Sequence, residues 1–197
     1  MNRRGLLSTA AAVAVAAAIP GASWAMTADQ ARRLIDTVVA DLNGVINSGR
    51  SERAMYGEFE RLFVRYADVP TIARSALGPD ARSASAQQLA AFTDAFAGYM
   101  SRKYGARFRE FIGGQIIVRD ARPVQSFIEV RTTAELRGQA PFAVTFLVSD
   151  RSGQPKFFDL VIEGISLLRT ERTEIGAMLD RRRRDIDLLI QDLRQAG

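Results

Sequence analysis

The sequence predicts an α+β fold: a curved antiparallel sheet of about four strands with helices packed on one side of it. Two observations predict this. Apolar residues recur at helical spacing from residue 27 to about 112, and again from about 170 to 196. Between residues 115 and 168 the apolar period drops to two, the signature of half-buried strands. Helices first, strands next and a helix last segregate the helices to one side of the sheet.

The elements follow in order. Thr27-Ala28-Asp29-Gln30 has the form of a capping box, and Leu34, Ile35, Val38, Val39, Leu42, Val45 and Ile46 carry helix one to about Asn47. Helix two presents Met55, Phe59, Leu62, Phe63 and Tyr66 on one face. Asp68-Val69-Pro70 starts a short third helix that Gly78 stops. Ser85-Ala86-Gln87-Gln88 is a second capping box. It opens the longest helix, with Leu89, Phe92, Phe96, Tyr99, Tyr104, Phe108 and Phe111 on one face and Gly113-Gly114 at its end. Ile116 and Val118 begin a strand closed by Arg122-Pro123, and a long second strand alternates from Val124 to Arg137. Phe142, Val144, Phe146 and Val148 form a third, and Asp150-Arg151-Ser152-Gly153 turns into a fourth, Phe157 to Leu168. A single closing helix uses Ile175, Met178, Leu179, Ile186, Leu189, Ile190 and Leu193.

Residues 1–25 read as an export signal. Arg3-Arg4 precede an Ala/Val-rich run from Leu6 to Ile19, Pro20-Gly21 break it, and Ser23-Trp24-Ala25 is a small-x-Ala cleavage site. The run is too short for a membrane span. Sec and twin-arginine export both fit it. The expected mature chain, residues 26–197, is one domain of about 170 residues, long enough for a sizeable core. Its helical part, 27–80 with 170–196, packs against the long helix 86–112 and the sheet 115–168. Without Arg3 and Arg4 the balance is 25 basic against 22 acidic residues, too mild to point to nucleic acid.

The chain has no Cys and no His. That excludes disulfide stapling, Ser-His-Asp and Cys-His catalysis, His/Cys zinc sites and haem ligation by His. An enzyme would have to work with carboxylates, Tyr, Lys, Arg or Ser. Asp159 and Glu163 invite that reading, but four residues of flat strand set their Cα atoms roughly 13 Å apart. Glycosidase carboxylate pairs lie about 5 to 9.5 Å apart. The two are expected to bind neighbouring Arg or backbone groups at a strand end. Arg181, Arg182, Arg183 and Arg184 interrupt the last apolar stripe, either as a solvated face or as a docking patch for an acidic partner or anionic headgroups. All eleven Phe follow residue 25. Periodicity leaves open whether they fill a core or wall a cavity.

The stretch FFDLVIEGISLLRTERTEI, residues 157–175, resembles the MlaC, or toluene-tolerance, family of periplasmic phospholipid carriers. It contains an aromatic and Asp, here Phe158-Asp159, then Glu163-Gly164-Ile165-Ser166-Leu167, and Arg172 beyond. Ile72 to Gly78 is similar to the family's short Ala-rich helix, Phe92 to Met100 with Tyr104-Gly105 to its long helix, and Ile186 to Leu189 to its tail. The family's aromatic after Leu-Gly is missing from Pro79-Asp80-Ala81, and its Gly-Gly before Ile-Asp is here Arg184-Asp185.

The resemblance implies an NTF2-like arrangement around an apolar cavity that takes phospholipid acyl chains and leaves the headgroup outside. It also implies a monomeric, non-enzymatic carrier without cofactor or metal. Such a carrier shuttles between an outer-membrane lipoprotein complex and an inner-membrane ABC transporter complex with a substrate-binding MCE component. Periodicity and resemblance together place the pocket wall at Val130, Phe142, Val144, Phe146, Leu160 and Ile162 of the sheet. Facing helices add Phe63, Phe92, Phe96, Tyr99 and Phe108. Three alternatives stay open: a carrier of another hydrophobe, hopanoid- or sterol-like, an NTF2-like isomerase using Asp159 with Tyr99 or Tyr104, and an interaction-only adaptor with a filled core.

Overall fold

The computed structural model describes residues 26–105 and 110–196. The expected signal and Phe108 lie outside the described residues. The helices are α1 (Ala28–Ile46), α2 (Glu52–Tyr66), α3 (Val69–Leu77), α4 (Ala86–Gly105), α5 (Leu167–Arg181) and α6 (Ile186–Gln195). The strands are β1 (Gln115–Val124), β2 (Phe127–Glu135), β3 (Phe142–Ser149), β4 (Lys156–Ile162) and the two-residue β5 (Ile165–Ser166). They pair antiparallel in sequence order, an open meander.

Both expected capping boxes form. The Gln30 N–H donates to Thr27 Oγ1 at 3.2 Å while the Thr27 N–H donates to Gln30 Oε1 at 2.8 Å. The Gln88 N–H donates to Ser85 Oγ at 3.1 Å, and the Ser85 N–H to Gln88 Oε1 at 3.0 Å. Each pair satisfies donors that the first helical turn leaves free. Gly78 ends α3 at φ 68°, ψ −137°, a region in practice reserved for glycine. A Cβ there would also lie 3.4 Å from the Arg172 guanidinium of α5, so two residues of the family resemblance meet at this point.

The inner sheet face is Ile128, Val130, Thr132 and Ala134 of β2 against Val144, Phe146 and Val148 of β3, all buried. α1 lies across β1 to β3, and α3 and α5 pack at β4. α4 runs through the middle of the helical layer, touching α2, α3 and α6. One continuous apolar cluster joins the layers, with a satellite of Ile46, Met55 and Phe59 where α1 meets α2.

Four sequence expectations shift. β1 runs through Pro123 to Val124, and the turn is Gln125-Ser126 with Gln125 at φ 51°. Proline is tolerated because β1 is an edge strand. The long helix is described to Gly105, where the Tyr56 ring sits so close that a Cβ would lie 2.7 Å from it; residues 106–109 lie outside the described residues, and Phe111 falls in a short 3-10 turn instead of on an α-helical face. The fourth strand stops at Ile162. Glu163 and Gly164, at φ 48° and 81°, form a two-residue hairpin loop, and Leu167-Leu168 already belong to α5. The closing helix is two helices. Arg183 and Arg184 at φ 54° and 66° break it, and Asp185 starts α6 by accepting from the Asp187 and Leu188 N–H groups at 2.9 and 3.0 Å.

Candidate functional site

An apolar crevice opens at the β4 edge of the sheet, between the sheet and the helical layer. Phe63 of α2, Ile72 of α3 and Met100 of α4 form one wall, with Phe157, Phe158 and Leu160 of β4 and Leu167 and Leu168 of α5 opposite. Asp159 and Glu171 are its polar lining residues. It encloses about 290 Å³ including its mouth, of which only about 20 Å³ admits the centre of a water molecule. That is room for about one water.

A β-bulge positions this site. β3 and β4 pair as Leu147 with Asp159 but Val148 with Phe157, so Phe158 is the extra residue. Phe157 turns inward, edge-on to Phe146 at 5.6 Å and tilted against Phe63 at 6.4 Å. Phe158 packs edge-on to Phe127 at 5.7 Å. Both adjacent phenylalanines thus reach the crevice from different sides of the strand.

Asp159 holds strand and helix together. The Leu160 and Leu168 N–H groups donate to its Oδ1 at 2.8 and 2.9 Å, and the Ser166 hydroxyl donates to Oδ2 at 2.6 Å. Ser166 in turn accepts from the Arg169 N–H at 3.0 Å as the cap of α5. Glu163 sits in the hairpin loop, where its carboxylate accepts from the Ala143 N–H. The two carboxylates bind backbone groups at the strand end, and both Asp159 oxygens are engaged.

A polar cluster backs the crevice. Lys103 Nζ donates to Tyr99 Oη at 2.9 Å, to Glu171 Oε1 at 2.8 Å and to Glu174 Oε2. The Tyr104 hydroxyl donates to the same Glu171 Oε1, and the Tyr99 hydroxyl to Glu174 Oε1 at 2.9 Å. Glu171 is fully buried, and its Oε2 has no hydrogen-bond partner among the described residues. Burial holds both tyrosine hydroxyls well above the usual phenol range, and the neighbouring Glu171 adds to it. Burial alone would pull Lys103 down, but its hydrogen bonds to Glu171, Glu174 and Tyr99 prevail and raise it. The Lys103 hydrogen bond is the main cause holding Glu174 below its ordinary value.

Of the wall residues expected from sequence, the crevice brings together Phe63 and Leu160. Phe92 and Phe96, both fully buried, stack at 5.8 Å in the packed interior, and Tyr99 lies beside Phe96 at 6.3 Å. Val130, Val144 and Phe146 are buried behind the crevice, Phe142 lies edge-on to Phe111 at 6.4 Å, and Ile162 is 37% exposed at the sheet end. Ile72, Met100, Phe157, Phe158, Leu167, Leu168 and Glu171 were not expected there. Met100 was findable, one turn beyond Phe96; Phe157 was hidden by the bulge.

Arg182 forks onto Asp192 at 2.7 and 2.6 Å, and Arg184 reaches Asp80 at 2.6 Å and Asp180 at 3.1 Å. The Arg181 and Arg183 side chains are exposed and make no hydrogen bond or ion pair to any described residue, although Arg181 lies close enough to Glu174 and Asp192 to help lower both carboxylates. No helix among the described residues is long and apolar enough to cross a membrane.

Comparison with solved structures finds a phospholipid-binding protein from Ralstonia solanacearum, determined in complex with a phospholipid. The match covers 84% of this chain and 96% of that one, with 20% identity and a TM-score of 0.73. That similarity confirms the fold. Comparison with curated proteins gives no match. The family model described as "MlaC protein" matches residues 32–195, a span that holds the Ala-rich third helix, the Asp159 clamp and the crevice. The chain belongs to the MlaC family.

Proposed function

We propose that this protein is a periplasmic phospholipid carrier that shelters acyl chains at the β4 crevice while they cross between membranes. The crevice carries the reading: apart from two carboxylates its lining is aliphatic and aromatic, and it lies between layers instead of inside one. Exposing an acyl chain to water costs roughly 0.8 kcal/mol per CH₂, so a diffusing carrier must replace the membrane interior with apolar wall. Ligand pockets run to roughly 300–1,000 Å³, so uptake parts the crevice walls. Phe92, Phe96, Tyr99, Val130, Phe142, Val144, Phe146 and Ile162, behind or beside it, then become the deeper wall.

Residues 26–197 act as one exported domain in this scheme, working as a monomer without a catalytic step. Cargo passes between an outer-membrane lipoprotein complex and an inner-membrane ABC transporter with an MCE component. Within the arginine run, Arg181 and Arg183, whose side chains make no ion pair among the described residues, are the cations for docking either one.

The test is native mass spectrometry of the protein expressed to the periplasm, followed by organic extraction. A bound mass that fragments as phospholipid is the expected result and gives the stoichiometry. A bare chain, unchanged after incubation with phospholipid vesicles, would overturn the carrier reading.

A further inference from the structure

The β4–β5 hairpin carries one wall of the crevice out into solvent. β4 starts beside the joint of α2 and α3, where the Phe157 carbonyl accepts from the Asp68 N–H, and runs away from it through Leu160 to Ile162. Leu160 and Ile162 lie two residues apart on one face of the strand, and Ile165 of β5 pairs directly with Ile162 across the turn. Exposure rises along this path. Leu160 lines the crevice and is half-buried, Ile162 is 37% exposed, and Ile165, at 66%, is the most exposed large apolar side chain among the described residues. Ile112, 50% exposed, stands at the same end of the sheet, next to Phe111, whose ring lies edge-on to Phe142 at the start of β3.

The tip holds its shape. Glu163 and Gly164 close the turn in two residues, the Glu163 N–H donates to the Ala143 carbonyl at 3.0 Å, and the Glu163 carboxylate turns back to accept from the Ala143 N–H. That partners the one carboxylate of the turn within the protein and lowers the cost of taking the tip out of water.

Three features select what the tip meets. A few side-chain tips bury far less than the roughly 800 Å² per partner of a stable protein interface. They are aliphatic, whereas protein hot spots favour Trp, Tyr and Arg. Within four residues of Ile165 stand one acid and one base, Glu163 and Arg169, so the hairpin has no net charge to steer it. Convex aliphatic tips without net charge suit a lipid surface.

We propose that the β4–β5 hairpin is where the protein touches a membrane. Ile165 and Ile162, with Ile112 from the same end of the sheet, dip into the lipid surface and extend the crevice wall to it. An acyl chain then passes between bilayer and crevice along Leu160. What passes along this path rests on the carrier reading; the contact itself does not.

Flotation with phosphatidylcholine vesicles reads the contact, and transfer of a fluorescent phosphatidylcholine between vesicles reads its use. Wild type should float with the vesicles to the same extent, within about twofold, at about 50 and about 500 mM salt. Ile165→Ser should lower that partition about tenfold, and Ile165→Leu should restore it. The transfer rate should fall in step while the lipid held after long incubation stays at the wild-type amount. A contact absent from the loaded, free carrier changes the rate and not the final occupancy. Ile112→Ser should lower the partition several-fold, and it decides the matter where Ile165→Ser has a lowered thermal midpoint. Folded wild type that does not float would give the tip to a protein partner and overturn the membrane contact, whatever lipid the protein carries. Binding that collapses at the higher salt would overturn it in favour of the arginines, and so would full partition of both serine variants. Flotation without any lipid uptake or transfer would overturn the carrier reading and leave the contact standing.

Discussion

Lys103→Met tests how the buried carboxylate at the crevice is held. In the native protein the Lys103 ammonium sits 2.8 Å from Glu171 Oε1, with Glu171 fully buried and the Lys103 side chain 26% exposed. Methionine keeps the length of the stem but removes the charge and three donors, leaving the Tyr104 hydroxyl as the one partner of Glu171 among the described residues. Breaking a buried pair from one side costs about 3–5 kcal/mol because the remaining charge stays desolvated. Water reaches the lysine end and screens the pair, which discounts that range to about 2–3 kcal/mol. For a domain of this size that is a fall of roughly 5–10 °C in thermal midpoint. Urea titration followed by far-UV circular dichroism measures it. The double variant Lys103→Met with Glu171→Met replaces the pair by apolar groups and should recover most of the loss. A single variant within about 0.5 kcal/mol of wild type, or a double variant no better than the single, would refute the argument.

Other outcomes follow from the same structure. Gly78→Ala should cost about 1–3 kcal/mol in urea titration, because the backbone there suits only glycine; the added methyl would meet the Arg172 guanidinium only at contact distance, 3.4 Å. Arg183→Gly should stabilise by about 0.5–1 kcal/mol, since φ 54° costs an L-residue and this side chain has no described partner to lose. Leu168→Trp fills the crevice from its α5 wall; extracted lipid per protein should drop several-fold, with the fold retained by circular dichroism. Alkaline titration should show stability falling from about pH 10 upward. Tyr99, Tyr104 and Lys103 are all raised in the folded state, so their contribution is complete below the unfolded values of 10.0 and 10.5 and is lost as pH climbs toward the folded ones.

Much of the fold was legible because local chemistry and tertiary structure agree. Thr27/Gln30, Ser85/Gln88 and Asp68-Val69-Pro70 are signals read within four residues, and each starts a helix where expected. The dry face of β2 was legible for the same reason: Ile128, Val130, Thr132 and Ala134 alternate without interruption. Where reading failed, a left-handed backbone sat on a residue that does not advertise it. Gln125, Glu163 and Arg183-Arg184 all take positive φ without being glycine, so a strand appeared to start early, another to run on, and two helices looked like one. Arg184 stands where the resemblance expects glycine, which was the available clue. The site was harder to see. Its wall depends on the bulge at Phe158, which breaks the period-two rule at the very strand edge where the crevice opens. The unmatched oxygen of Glu171 arises from a helix-to-helix arrangement that no spacing rule encodes.

One small stitch sets how that crevice can widen. Ala67 and Phe157 form a single parallel bridge, and the Asp68 N–H donates to the Phe157 carbonyl at 2.8 Å, tying the joint between α2 and α3 to the edge of β4. Any movement of α2 that preserves the tie is a swing about Ala67. Phe63 lies four residues from that pivot, roughly 6 Å along the axis, so it travels about 1 Å for every ten degrees. Ser51, at the far end of the helix, travels about four times as far. The opening is therefore a wedge, narrow beside Phe157 and widest toward the start of α2, and in the proposed carrier a chain tail would enter it tip first.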